Sequence, residues 1–280
     1  MNYRTYRTSR YIRPMCIYLL LSLVSFMAIS PYLWMVMTSF KDRVDAFTIP
    51  PVWVFKPTID HYIAAFIEKG FAGNLLNSLI ISLSTVGISL TLGVLSAYAF
   101  ARHKFSGDHN IFFYILTTRM SPPVAMALPL YILMARFGIL NTYFAVIIAH
   151  ITFNLALVVW MMRGFFESVP VQIEEAALVD GCSTLQVFRL ISLPLVRGGI
   201  AATAILCFIF SWNEFLFALL LSGRTVAPLT VAIPGLVTTR GTFWGQIAAV
   251  ATLITIPVII FSFIVQRHLI RGLTFGAVKE

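Results

Sequence analysis

Two groups of polar residues interrupt a strongly apolar chain of 280 residues, and each suits a different chemistry. The first is Glu174-Glu175-Ala176-Ala177-Leu178-Val179-Asp180-Gly181, followed by Ile191-Ser192-Leu193-Pro194. Its carboxylates, Glu174, Glu175 and Asp180, suit charge-assisted bonds to basic groups on a partner. Ala176 and Ala177 allow that partner a close approach. The second group is Asn154, Trp212, Asn213 and Glu214, set inside long apolar runs. A charged group at mid-membrane depth costs at least about 2.5 kcal/mol to insert, so it faces a cavity or a polar partner. These four residues are candidates for lining a polar solute path. The competing assignment is interhelical bonding, for instance Glu214 with Arg119. For the first group the competing assignment is an ordinary acidic loop facing water.

Covalent catalysis and metal chemistry find no support. No Ser/His/Asp set or metal-ligand cluster is present. No G-x-x-x-x-G-K-[ST] pattern occurs either, so nucleotide hydrolysis would have to reside on another polypeptide. The three cysteines, Cys16, Cys182 and Cys207, have neither disulfide nor zinc spacing.

Hydrophobic residues make up 59% of the chain and charged ones only 11%. A soluble domain needs about 25% charged residues to cover its surface. Apolar runs reach the roughly 20 residues that a membrane crossing needs, at about 15–38, 74–100, 111–135, 143–162, 200–221 and 244–266. Backbone groups in lipid must be satisfied within the segment, and these runs are too long for barrel strands. The fold class is therefore all-α, a polytopic membrane protein with six transmembrane helices. Its divisions are an N-terminal segment 1–14, a transmembrane domain 15–267 holding a polar segment 163–199, and a tail 268–280. The first run lacks the short core and small-residue cleavage site of a signal peptide, so it reads as a retained span.

The formal net charge of +9 does not indicate nucleic acid, because the basic residues are scattered at the ends of the apolar runs. With the N-terminus inside, twelve basic residues fall in inner segments and seven in outer ones. That bias places both termini, and segment 163–199, in the cytoplasm. Gly93, Ala97 and Ala101, and also Gly245 and Ala249, recur at the four-residue interval that lets helices approach closely in lipid. Pro122, Pro123 and Pro129 break the third run or end it early.

Within segment 163–199, Ser168 or a neighbour can cap a helix, Pro170 suits a first turn, and Gly181 suits a left-handed stop. Ser183-Thr184-Leu185-Gln186 fits a capping box that opens a second short helix. Two brief helices meeting at Gly181 would form a protruding elbow.

The spacing of Glu175-Ala176-Ala177, Gly181 and Ile191-x-Leu193-Pro194 resembles the signature of ATP-binding-cassette importer permeases. Gly164-Phe165-Phe166-Glu167-Ser168-Val169-Pro170, Ser211-Trp212-Asn213-Glu214-Phe215 and the ending Arg271–Lys279 are similar to the permeases of carbohydrate importers, specifically the shorter, six-span subunit of maltose-transporter-like systems. The resemblance implies the type I importer permease (MetI-like) fold in a bacterial inner membrane. It implies a second permease subunit, two ATPase subunits carrying ATP and magnesium, an extracytoplasmic sugar-binding protein, and no cofactor on this chain. It also implies that Glu174, Glu175, Ala176, Ala177, Asp180, Gly181, Ile191, Leu193 and Pro194 dock the ATPase. The outer loop 223–243 would reach the binding protein and the C-terminal tail would approach the ATPases. Trp212 could stack on a sugar face within the path. The alternative, an ion-coupled secondary transporter, would rest on His150 and Arg119, but such carriers need no segment of this kind and show internal repeats that are missing here.

Overall fold

The computed structural model describes residues 3–238 and 241–274, with side chains from 14 to 238 and from 242 to 264. The helices follow the apolar runs. In chain order they are α1 (Tyr3–Phe40), α2 (Arg43–Phe47), α3 (Asp60–Ile63, continued by a π-helical turn Ala64–Glu68), α4 (Phe71–Arg102), α5 (Asp108–Met120) and α6 (Pro123–Arg136). Next come α7 (Tyr143–Glu167), α8 (Val171–Val179), α9 (Thr184–Val187, continued by a π-helical turn Phe188–Ser192), α10 (Leu193–Leu195) and α11 (Arg197–Trp212). The last are α12 (Leu216–Leu221), α13 (Leu229–Ala232) and α14 (Trp244–Thr274). A two-residue antiparallel ladder pairs β1 (Val237–Thr238) with β2 (Gly241–Thr242), a small exception to an otherwise helical chain.

Among the described residues, four helices are long and apolar enough to cross a membrane, or up to six if each of two bent pairs counts as one span. One pair is the proline-broken third run, where α5 and α6 meet at 99°. Pro122 and Pro123 supply no N–H to continue α5 beyond Ser121, and Pro123 starts the new helix in its first turn, where a missing N–H is harmless. The fifth run differs from the expected continuous span at 200–221. The helix stops at Trp212 and restarts at Leu216. In the other bent pair, the segment Thr184–Leu195 turns by 74° into Arg197–Trp212.

The chain divides into two compact units, and the division falls within α14. The larger takes in Gly70–Gly235 and the chain from Ile256. Its centre is α4 packed on α7, with α11 against both. One core cluster, which includes Val94, Ala97, Val158, Met162 and Phe166, lies toward the C-terminal ends of α4 and α7. A second, with Ile81, Ala145, Ala149 and Phe217, lies toward their N-terminal ends. Polar bonds fasten the loop after α12 to α4. The Asn77 amide donates to the carbonyls of Thr225 and Ala227, at 3.0 Å each, and Leu229 N–H donates to Ser78 Oγ at 2.9 Å. The part of this loop at 239–240 lies outside the described residues, as does the tail from 275.

The smaller unit takes in the chain through Lys69 and Leu236–Thr255. The segment after α1 folds back over the end of that helix: Ser39 Oγ bonds Tyr62 Oη at 2.8 Å, and Thr58 N–H donates to Phe40 O at 2.9 Å. Lys41 is buried there, with its ammonium 4.3 Å from the Trp34 ring centre. Gly245 is in contact range of the His61 ring, so the small residue expected to pack a long helix instead admits the short helix α3.

Gly93 meets the helix-packing expectation directly. A Cβ at this position would lie 2.5 Å from Val158 Cγ1 and 2.8 Å from Val158 Cβ. Val158 is fully buried and, being β-branched, has little freedom to turn away. Gly93→Leu is expected to push α4 from α7 and to destabilise the chain by about 1–3 kcal/mol. The thermal midpoint of the detergent-purified protein reads this, and adding Val158→Ala should recover part of the loss.

Candidate functional site

The elbow between α8 and α9 is built by local hydrogen bonds. α8 ends in a paired stop at Gly181, whose φ is +90°: Gly181 N–H donates to Leu178 O at 3.1 Å and Cys182 N–H to Ala177 O at 3.0 Å. This six-to-one and five-to-two pattern satisfies carbonyls that a helix end would otherwise leave bare, and glycine reaches that φ without strain. Two residues on, the capping box is complete. Gln186 N–H donates to Ser183 Oγ at 3.4 Å and Ser183 N–H to Gln186 Oε1 at 2.7 Å. Ser168 does not cap α8; its hydroxyl donates to Phe165 O at the end of α7, and Pro170 occupies the capping position.

The nine residues expected to dock a partner separate by exposure. Glu175, Ala176, Asp180, Gly181 and Pro194 lie on the surface, Ile191 and Leu193 are half-buried, and Ala177 and Glu174 are buried. Sequence reasoning missed the large apolar contribution to this surface: Val179 is 87% exposed and Leu178 48%. Glu175 and Val179 are four residues apart and share the outer face, while Glu174 and Ala177, three apart, share the inner one. The tip thus offers a carboxylate and a branched apolar side chain side by side.

Glu174 therefore departs from its expected place. Its Oε2 is 3.0 Å from Arg102 Nε and accepts from Tyr98 Oη at 3.1 Å, while its Oε1 accepts from Ser192 Oγ at 2.9 Å. Arg102 Nη2 also donates to Phe166 O at 2.8 Å and Val169 O at 2.9 Å. Burying a carboxylate requires a charge partner and satisfied lone pairs, and Arg102 with two hydroxyls provides both.

The intramembrane group also differs from its expected roles. Glu214 does not pair with Arg119. Its Oε2 is 3.2 Å from His150 Nε2, and its two oxygens accept from Phe217 N–H at 2.9 Å and Ala218 N–H at 3.0 Å, which caps α12. His150 Nδ1 is 2.7 Å from Ser211 Oγ. Arg119 instead lies 4.4 Å above the Phe210 ring and donates to Phe153 O at 3.2 Å. Trp212 is buried and stacks on Phe208 with ring centres 5.2 Å apart, so its indole face is covered within this chain. Asn154 is buried and donates to His150 O at 3.0 Å. Asn213 alone of the four is exposed. Among the described residues, no group of three or more His, Cys, Asp or Glu side chains could hold a metal ion.

Residues 89–275 match the family described as binding-protein-dependent transport system inner membrane component. Over 272 residues, 97% of this chain and 98% of the other, the protein is 39% identical to a probable ABC transporter permease of Sinorhizobium fredii. It is 36% identical to the trehalose transport system permease SugB of Mycobacterium tuberculosis, over 90% of this chain and 93% of that one. Among solved structures, a chain of a bacterial ABC transporter that imports the acidic polysaccharide alginate shares the fold, with a TM-score of 0.78, 24% identity, and coverage of 92% of this chain and 97% of that one.

Proposed function

The chain belongs to the family of binding-protein-dependent transport system inner membrane components, and from that premise we propose that it is a permease subunit of an importer for a sugar, polyol or glycoside. Its partners in this reading are a second permease, two ATPases that carry ATP and magnesium, and an extracytoplasmic binding protein. Relatives named for trehalose, for trehalose and maltose, and for diacetylchitobiose support the solute class.

The observation that carries the coupling role is the exposed tip formed by Glu175, Val179, Asp180 and Gly181 at the end of a capped helix. Such a knob gives an ATPase cleft a compact, rigid object to hold. In this reading the knob and both termini are cytoplasmic. ATP-driven closure of the ATPase pair draws the two permeases' knobs together and favours an outward-facing path. The loaded binding protein favours that same state. Each ligand contributes only its difference in affinity between the two states, so both must prefer it for transport to be coupled. Asn213, at the break between α11 and α12, is the residue of the intramembrane group that this reading places on the solute path.

The test is reconstitution of the whole complex in proteoliposomes. Loaded binding protein should stimulate ATP hydrolysis, and uptake should need ATP. Uptake that follows an imposed proton gradient without ATP would favour the ion-coupled alternative instead.

A further inference from the structure

Resting on the assignment of α8 as the ATPase-docking helix, we propose that Glu174 and Arg102 form a buried clasp that makes α8 a rigid extension of α4 and α7. A push on the knob then enters the membrane through those two helices. Glu174 is a positioning residue and touches no ATPase.

The clasp joins four pieces of chain through two side chains. Arg102, in the last turn of α4, holds the Phe166 and Val169 carbonyls at the end of α7 and the carboxylate of Glu174 on α8. The end of a helix presents unsatisfied carbonyls and partial negative charge, so a guanidinium is the group suited to that place. Glu174 brings in the fourth piece through Ser192, in the π-helical turn that follows α9. The extra residue of such a turn shifts the side chains that follow it, and here Ser192 meets Glu174. Both charged side chains are almost fully buried, at 7% and 6% exposure, so water does not compete for these bonds. Tyr98, one turn before Arg102, donates to the same carboxylate, and its ring packs on Phe166 at 5.3 Å and Phe188 at 4.8 Å.

The covalent route from the knob into α11 is different. It turns through 74° between Leu195 and Arg197, which makes it a poor strut. The non-covalent route through Arg102 is direct and dry, an ion pair on one side and two carbonyl bonds on the other. Load applied to α8 therefore reaches α4 and α7, the most closely packed helix pair of the larger unit.

A buried ion pair adds little net stability relative to apolar residues of similar volume, whereas removal of one partner strands a charge. This separates the clasp from simple stabilisation. The variant Arg102→Met/Glu174→Leu removes both charges together and should assemble, yet it lacks every directional bond of the clasp. The experiment uses the full complex in proteoliposomes and measures solute moved per ATP hydrolysed, alongside copurification of the ATPase. The double variant is expected to keep ATPase binding and stimulated hydrolysis within about threefold, and to lose about tenfold or more in solute per ATP. An unchanged ratio overturns the clasp while leaving the docking assignment intact. Loss of ATPase binding on Glu174→Gln, with assembly of the permease pair preserved, makes Glu174 a docking residue and also overturns it. Should the double variant fail to assemble, Glu174→Gln carries the same ratio measurement: a clear fall supports the clasp and an unaltered ratio overturns it. If the unaltered complex shows no stimulated hydrolysis at all, it is the docking reading itself that fails.

Discussion

Gly181→Val is expected to lower transport by about tenfold or more while the protein still reaches the membrane. The position has a φ of +90° and no atom within 4 Å of where a Cβ would sit. The penalty is thus purely one of backbone, about 1–2 kcal/mol for an ordinary residue and more for a β-branched one. Relief comes only by abandoning that φ, which breaks the bond from Cys182 N–H to Ala177 O and swings the chain after Gly181, with the start of α9, away from the end of α8. An interaction surface so altered loses its fit at about a factor of ten per 1.4 kcal/mol. Gly181→Asn tolerates the left-handed region and should stay much nearer the unaltered protein. Uptake normalised to membrane-inserted protein, together with ATPase copurification, measures both variants. Equal uptake by Gly181→Val would mean that the shape of this turn is irrelevant to coupling.

The second large effect is expected from Glu214→Leu, and it should appear as lost stability rather than lost solute affinity. The carboxylate caps α12 through two backbone N–H groups and also faces His150. Leucine leaves those donors and the imidazole without their partner. The loss of a cap and of buried bonds amounts to about 2–4 kcal/mol. Glu214→Gln retains an oxygen acceptor and should lose much less. Thermal melting of the purified complex, paired with the apparent solute affinity, separates the possibilities. If Glu214→Gln melts normally but binds solute tenfold or more weakly, the carboxylate belongs to the path and the capping role is secondary.

The contrast between Glu214 and Gly181 shows what a chain reveals before it folds. The stop at Gly181 and the box at Ser183–Gln186 are readable because every bond in them joins residues a few positions apart. The long helices are readable because lipid demands continuous apolar runs, and the third break is readable because proline lacks a donor. The fifth break is not. A glutamate that folds back on amides three and four residues ahead gives no signal distinct from a glutamate facing a polar path. Glu174 and Glu175 pose the same problem more sharply. They are adjacent, identical in type and about 100° apart around one helix. Which of them turns inward is decided by Arg102, far upstream in the chain. The pairing of Glu214 with His150 rather than Arg119 is likewise decided by the packing of α7 against α11.

The self-sufficiency of the bonds around Gly181 also has a bearing on how such proteins diversify. Apart from the single inward carboxylate, the shape of the tip is written almost wholly within residues 176–186, so changes in the lipid-facing or solute-facing helices leave that shape alone. With the tip docking the ATPase as proposed, lineages are then free to change cargo while keeping one standard plug for the power source. Chimeras that exchange this short stretch should trade motors without trading what they carry.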